Sequence, residues 1–324
     1  MEATSRIYSI LNVASIALLG ILLIEALVLV FVARRSFDWR ESLASFGVAI
    51  GRGFSEITPI FIAMPGAFWL YEHRIFDPAK WGAWSYVVLF FGLEFVYYWW
   101  HRISHRSRWF WVNHAVHHSP NELNLAAAIR VGWMAKIMGT YVIFAPLVMI
   151  GFQPQMVFAA YSLNLLYQFW IHTTWIPKLG VLEGIINTPA AHRVHHAANL
   201  EYLDANYGGV LMIFDRMFGT YRPELDNIPI RYGLVTPLRS YNPITIAFHQ
   251  VMPMIRDLRS ARSIREVAYY LFGPPGWKPD GKGTTTEDLR RAQLADGRNQ
   301  VAQSDSAGLS QPVEPEPSAA GLQA

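Results

Sequence analysis

The chain reads as an all-α, multi-pass membrane protein whose cytoplasmic side carries a histidine-rich helical cap built to hold two metals. Three observations lead there: too few charges for an ordinary soluble domain, a series of long apolar runs, and eight histidines gathered in three short clusters. Of 324 residues, 52% are hydrophobic and 16% charged, whereas a soluble domain carries about a quarter charged residues. There is no cysteine, which excludes a disulfide scaffold, a thiolate zinc site, an iron–sulfur cluster and a thiol nucleophile. The formal net charge is +3. The basic residues sit beside apolar runs, the pattern of positive-inside topology and not of a nucleic-acid surface.

Ile7 to Val32 form a nearly unbroken apolar run with one acid, Glu25, long enough for the roughly 20 residues a helix needs to cross a bilayer. Its length, with no small-x-small site after it, argues against a cleaved signal peptide. Arg34, Arg35 and Arg40 follow it and Arg6 alone precedes it, which puts its far end in the cytoplasm. A second span is expected over 46–70, weakened by Arg52 and Glu56, and a third over 81–100. His101 then emerges on the cytoplasmic side, followed by Arg102, Arg106, Arg108, Arg130 and Lys136. Two apolar stretches, 137–150 and 156–171, flank Gly151-Phe152-Gln153-Pro154. They predict a helical hairpin that enters and leaves on that same side. Residues 177–275 are mixed and read as folded at the membrane face. Polar, Pro-containing composition then predicts a disordered tail. The expected divisions are an N-terminal transmembrane region at 1–80, a histidine-box region at 81–275 and a tail at 276–324.

The clusters are His101-Arg-Ile-Ser-His105, His114-Ala-Val-His117-His118 and His192-Arg-Val-His195-His196. On a helix, residues three and four apart share a face with Cβ atoms about 5–6 Å apart. Imidazoles so placed converge on a metal held at about 2.0–2.1 Å. Eight exceed what one ion takes, so the spacing points to two metals shared among three helices. Iron, zinc, copper and nickel all suit imidazole, so the spacing names no element. His172, at the end of an apolar helix, is expected on the same face as a ninth ligand. His73 and His249 belong to no cluster and read as structural. Glu94, Asn124, Asn187, Asp204 and Asn206 lie near the boxes and are candidate partners for the ligands' second ring nitrogens. A histidine-lined metal transporter is the non-enzymatic alternative, although transporters place such groups near mid-span, and here the clusters follow the span ends. A non-catalytic membrane interaction protein is the third class.

The three boxes, in that order around hydrophobic hairpins, resemble the fatty acid hydroxylase and sterol desaturase superfamily. Glu94-Phe-Val-Tyr-Tyr-Trp-Trp-His101-Arg102 is similar to the approach to its first box. Asn187-Thr-Pro-Ala-Ala-His192-Arg-Val-His195-His196 is similar to its third, and Asn206-Tyr-Gly-Gly-Val-Leu to the segment after it. A closer resemblance, on fewer motifs, is to the alkylglycerol monooxygenases. It rests on Gln168-Phe-Trp-Ile-His172-Thr173, Tyr202-Leu-Asp-Ala-Asn-Tyr-Gly-Gly-Val and Phe214-Asp-Arg-Met-Phe-Gly-Thr220, extended by Tyr232-Gly-Leu-Val-Thr-Pro-Leu and Gly273-Pro-Pro-Gly-Trp277. Ala191 departs from that group, where a further histidine is expected. The resemblance implies two iron ions that activate O₂ and attack an unactivated C–H bond of a membrane lipid. The outcome is hydroxylation of an alkyl chain, with sterol desaturation or sterol C-4 methyl oxidation as the alternative. It also implies tetrahydrobiopterin as reductant in the alkylglycerol group. The chain has no dinucleotide, flavin or fused haem motif, so electrons are expected from a pterin or a cytochrome b5- or ferredoxin-type donor. The membrane is equally a bacterial cytoplasmic membrane or that of the ER.

Overall fold

A computed structural model describes residues 20–34, 37–55 and 60–295. Among these residues the protein is helical, with no β-strand and only isolated bridges such as Ile186–Leu211. Residues 20–27 are helical and run into a π-helical turn at Val28–Val32; the rest of the first expected span, 7–19, lies outside the described residues. Helices α1 (Trp39–Ser55) and α2 (Ile60–Glu72) occupy the second expected span, on either side of residues outside the described set.

The long helix α3 (Trp84–Arg106) organises the molecule. Its buried positions Ser85, Leu89, Leu93, Tyr97, His101 and His105 recur every four residues, so one stripe runs from apolar core into the histidines. Leu89, Leu93 and Val96 pack there with Phe144, Leu147, Val148, Phe152 and Val157. Those partners come from α6 (Ala145–Ile150), α7 (Pro154–Trp170) and the short turns before them. The α6–α7 turn is seated against 75–76, where Ile75 N–H donates to Met149 O at 2.8 Å and Phe76 N–H to Ile150 O at 3.1 Å. Gly151 is required at this turn: its φ is +125°, and a Cβ there would lie 2.3 Å from Phe76 O. The hairpin therefore starts at the far end of α3 and delivers His172 to the end that carries His101.

Ser107 is extended and closes α3 before α4 (Arg108–His117) turns back. After the short α5 (Leu125–Ala128), capped by Asn124, the chain makes the hairpin just described. It then forms α8 (Pro189–His195), where Thr188 accepts from Ala191 N–H and Pro189 takes the first turn. Helices α9 (Ile213–Met217), α10 (Pro243–Phe248), α11 (Val251–Ser260) and α12 (Ile264–Phe272) complete the cap.

Among the described residues, no helix is both long and apolar enough to cross a membrane. At 23 residues α3 has the length, about 34 Å, but Glu94 and the Tyr97-Tyr98-Trp99-Trp100 run dilute its apolar character. Part of the stretch expected as a disordered tail, 276–324, lies among the described residues. Residues 286–295 are helical, Glu287 pairs with Arg106, and Arg290 donates to Leu203 O at 2.8 Å. Residues 296–324 lie outside the described set.

Candidate metal centre

Nine histidines converge in two groups. His101, His105, His114, His118 and His195 form one; His117, His172, His192 and His196 form the other, and within each group the ring nitrogens lie within 4.8 Å of one another. The partition follows helix geometry. In each His-x-x-His-His box the first and last histidines, four apart, go to one group and the middle one crosses to the other. His114 and His118 join the first group while His117 joins the second; His192 and His196 join the second while His195 joins the first. Both boxes therefore serve both groups, which holds the groups in contact: the His118 and His196 rings stack with centroids 4.4 Å apart.

The ring tautomers follow from the main chain. A carbonyl oxygen only accepts, so a ring nitrogen facing one carries the proton. His101 Nδ1 donates to Tyr207 O at 2.9 Å, His195 Nδ1 to Ala205 O at 3.0 Å, His172 Nδ1 to Gln168 O at 2.7 Å and His117 Nδ1 to Arg130 O at 3.3 Å. Each Nε2 of these neutral rings then presents a bare lone pair. Yet His172 Nε2 and His117 Nε2 approach to 3.1 Å, and two lone pairs cannot hydrogen-bond. Among the described residues, buried His105 Nε2 and His195 Nε2 have no hydrogen-bond partner. Inward-facing lone pairs without protons between them fit a cation, so the clusters fit a metal site.

The electrostatics agree. Burial is the largest effect and holds all nine imidazoles below their ordinary 6.5, with mutual repulsion adding to it in most of them. His117 falls to about 4 and His195 to about 3. Such rings are neutral donors near pH 7. His73 is exposed and contacts only its own helix through Trp69 O, and His249 caps α10 through Ile246 O. Neither joins a group.

The polar residues expected around the ligands mostly act one step further out. Asp204 alone approaches a ring, with Oδ1 3.8 Å from His105 Nδ1, while its other oxygen pairs with Arg106 at 2.7 Å. Glu94 accepts from Val210 N–H, Leu211 N–H and Asn164 Nδ2. Asn187 donates to Gly208 O and Gly209 O, Asn206 to Ala191 O and Arg222 O, and Asn124 caps α5. Glu25, missed as a partner, accepts from Leu125 N–H and from Thr173 beside His172. Asp215 was missed too. It is fully buried and accepts from Tyr207 N–H, Gly208 N–H and the Thr220 hydroxyl, each at 2.7 Å. Its only sequence signal was its place in the Phe214–Thr220 motif. A cavity of about 410 Å³ reaches His105, His118 and His195 between Trp111 and Trp277.

Fold and site together define a helical protein whose paired histidine groups fit a metal site. Residues 86–220 match the fatty acid hydroxylase family. The chain is 38% identical to the alkylglycerol monooxygenase of Homo sapiens over 209 residues, 64% of this chain and 46% of that protein. It is 38% identical to that of Danio rerio over 198 residues, 61% and 43% of the two chains. An ornithine lipid hydroxylase of Rhizobium tropici is 29% identical over 195 residues, 58% of each. No solved structure matches the chain. Over residues 86–220 the chain is similar to the fatty acid hydroxylase family, and over a longer stretch to the alkylglycerol monooxygenases. It spans less than half the length of the alkylglycerol monooxygenases it matches.

Proposed function

We propose that this protein is an integral-membrane, O₂-dependent iron enzyme that hydroxylates a lipid alkyl chain, as the alkylglycerol monooxygenases to which it is similar are named for doing. The observation that carries this reading is the convergence of nine neutral imidazoles on two touching points, with the tautomers set so that lone pairs face inward. Two iron ions would be held, one by His101, His105, His114, His118 and His195, the other by His117, His172, His192 and His196. Iron suits imidazole donors. Bound iron supplies O₂ activation and attack on an unactivated C–H bond.

The chain's own residues do the rest. Main-chain carbonyls fix four of the rings, and burial keeps all nine neutral and limits water. The outward faces of α3 and α7 expose Trp84, Phe91, Phe158, Leu163 and Leu166, an apolar surface suited to lipid chains. That surface supports a membrane position, and the arginines that follow the expected spans, Arg34, Arg35, Arg102 and Arg106 among them, support a cytoplasmic metal centre. The cavity at His105, whose lining includes exposed Val235 and Thr284, offers a separate approach for an electron donor, tetrahydrobiopterin or a cytochrome b5- or ferredoxin-type protein. In the overall reaction one oxygen atom enters the C–H bond. The other leaves as water, with two electrons and two protons from the donor.

The test supplies the detergent-purified protein with a 1-O-alkylglycerol, ¹⁸O₂ and tetrahydrobiopterin. One ¹⁸O atom in the hydroxylated lipid or its aldehyde, with the donor required, is expected. An unlabelled new double bond when a sterol is supplied, with alkylglycerol untouched, would overturn it in favour of a desaturase.

A further inference from the structure

The two histidine groups differ in what orients them. In the second group, His172 donates to a carbonyl of its own helix, Gln168 O, and His117 to Arg130 O, whose residue is braced by its own side chain on Ser45 and Ser119. In the first group, two ligands from different helices, His101 and His195, both donate into one short turn, to Tyr207 O and Ala205 O. That turn is irregular: Asp204 and Asn206 both take φ +59°, a left-handed conformation that Asn and Asp tolerate best among residues with a side chain. A helical carbonyl is held by its helix, but a carbonyl in such a turn needs its own brace.

Asp215 provides it. Oδ1 accepts from Tyr207 N–H and the Thr220 hydroxyl, and Oδ2 from Gly208 N–H. Thr220 is tied back to α3 through the Tyr98 hydroxyl at 3.0 Å. The fit is tight, since a Cβ at Gly208 would lie 2.2 Å from Leu211 O and 3.0 Å from Asp215 Oδ2. We infer that Asp215 is a positioning residue for the first metal alone: by pinning the 205–208 turn it aims His101 and His195, and with them the histidines of one group and not the other. This rests on the reading that both groups bind metal.

Only a carboxylate satisfies this arrangement. In Asp215→Asn, whichever way the amide turns, an NH₂ faces a donor, so at least one of the three contacts becomes a repulsion. Outer-sphere partners of this kind change metal affinity by about 10–100-fold. The experiment titrates the metal-free protein with Co²⁺, whose absorption follows each group as it fills, and compares native protein, Asp215→Asn and Thr220→Val. Native protein is expected to take up two ions per chain. Asp215→Asn should keep one affinity and weaken the other at least 10-fold, and Thr220→Val, which removes one contact of three, should weaken the same ion less. If Asp215→Asn does not fold, Thr220→Val alone decides. Two ions held as tightly as in native protein, or both weakened alike as in a general loosening, would overturn the inference. A native protein that takes up no Co²⁺ would instead overturn the metal reading beneath it.

Discussion

At the scale of single residues, the chemistry rests on imidazoles kept neutral by burial. An unfolded histidine takes its proton near 6.5, whereas His117 and His195 take theirs only near 4 and 3. The folded, metal-free chain thus binds fewer protons than the unfolded one. Stability from this source is complete above about pH 6.5 and is lost as pH falls toward the folded values, at about 1.4 kcal/mol per pH unit for each such group. Urea unfolding of metal-free protein between pH 7.5 and 5 should show a steep fall; a flat profile would contradict the burial. His105→Ala, His118→Ala and His196→Ala should each remove activity and lower bound metal, while His73→Ala changes neither. Eight of the nine histidines that converge were legible because box spacing is a property of residue identity, and His172 because the hairpin returns it to the same face. Their Nδ1 partners were not, because a carbonyl belongs to every residue and only the fold decides which one faces a ring. Hence Glu94, Asn187 and Asn206 were recognised near the site, yet they hold the backbone and not the rings.

At the scale of elements, α1 is locked to the second box by a buried ion pair. Arg130, 1% exposed, donates to Ser45 Oγ and Ser119 Oγ at 3.1 Å each, and lies 3.5 Å from Glu41 Oε1. Its own carbonyl receives His117. Removing one charge leaves the other buried and unpaired, which costs about 3–5 kcal/mol, whereas replacing both by apolar residues is often neutral. Arg130→Met should therefore destabilise strongly, and Arg130→Met with Glu41→Leu much less, in thermal melts of the same preparation. Equal losses in the single and double variants would show that the pair is not coupled. The helix over 81–100 was readable because its apolar run is nearly continuous. The helix at 286–295 was not, because ion pairs and caps such as Thr285–Asp288 hold it, and these leave no hydropathic signature.

At the scale of the whole molecule, the two histidine groups are one structure. Each His-x-x-His-His box divides its ligands between them, so the boxes must lie side by side with α3 and His172 closing opposite flanks. The sequence points to two metals by ligand number. Which histidine serves which metal needs the crossing of α4 and α8, and no spacing within one box reveals that. Residues near Ser107 and near Asn199 must also lie on one side of any membrane, because His105 and His195 share a group. Reporters placed beside them should agree with each other and differ from one near Phe76. The most direct test of the central claim is iron content per chain in purified protein, native and with one group cut at a time. Two irons are expected in the native chain, and one each in His101→Ala and His172→Ala. A native chain that holds no more than a single iron would contradict it.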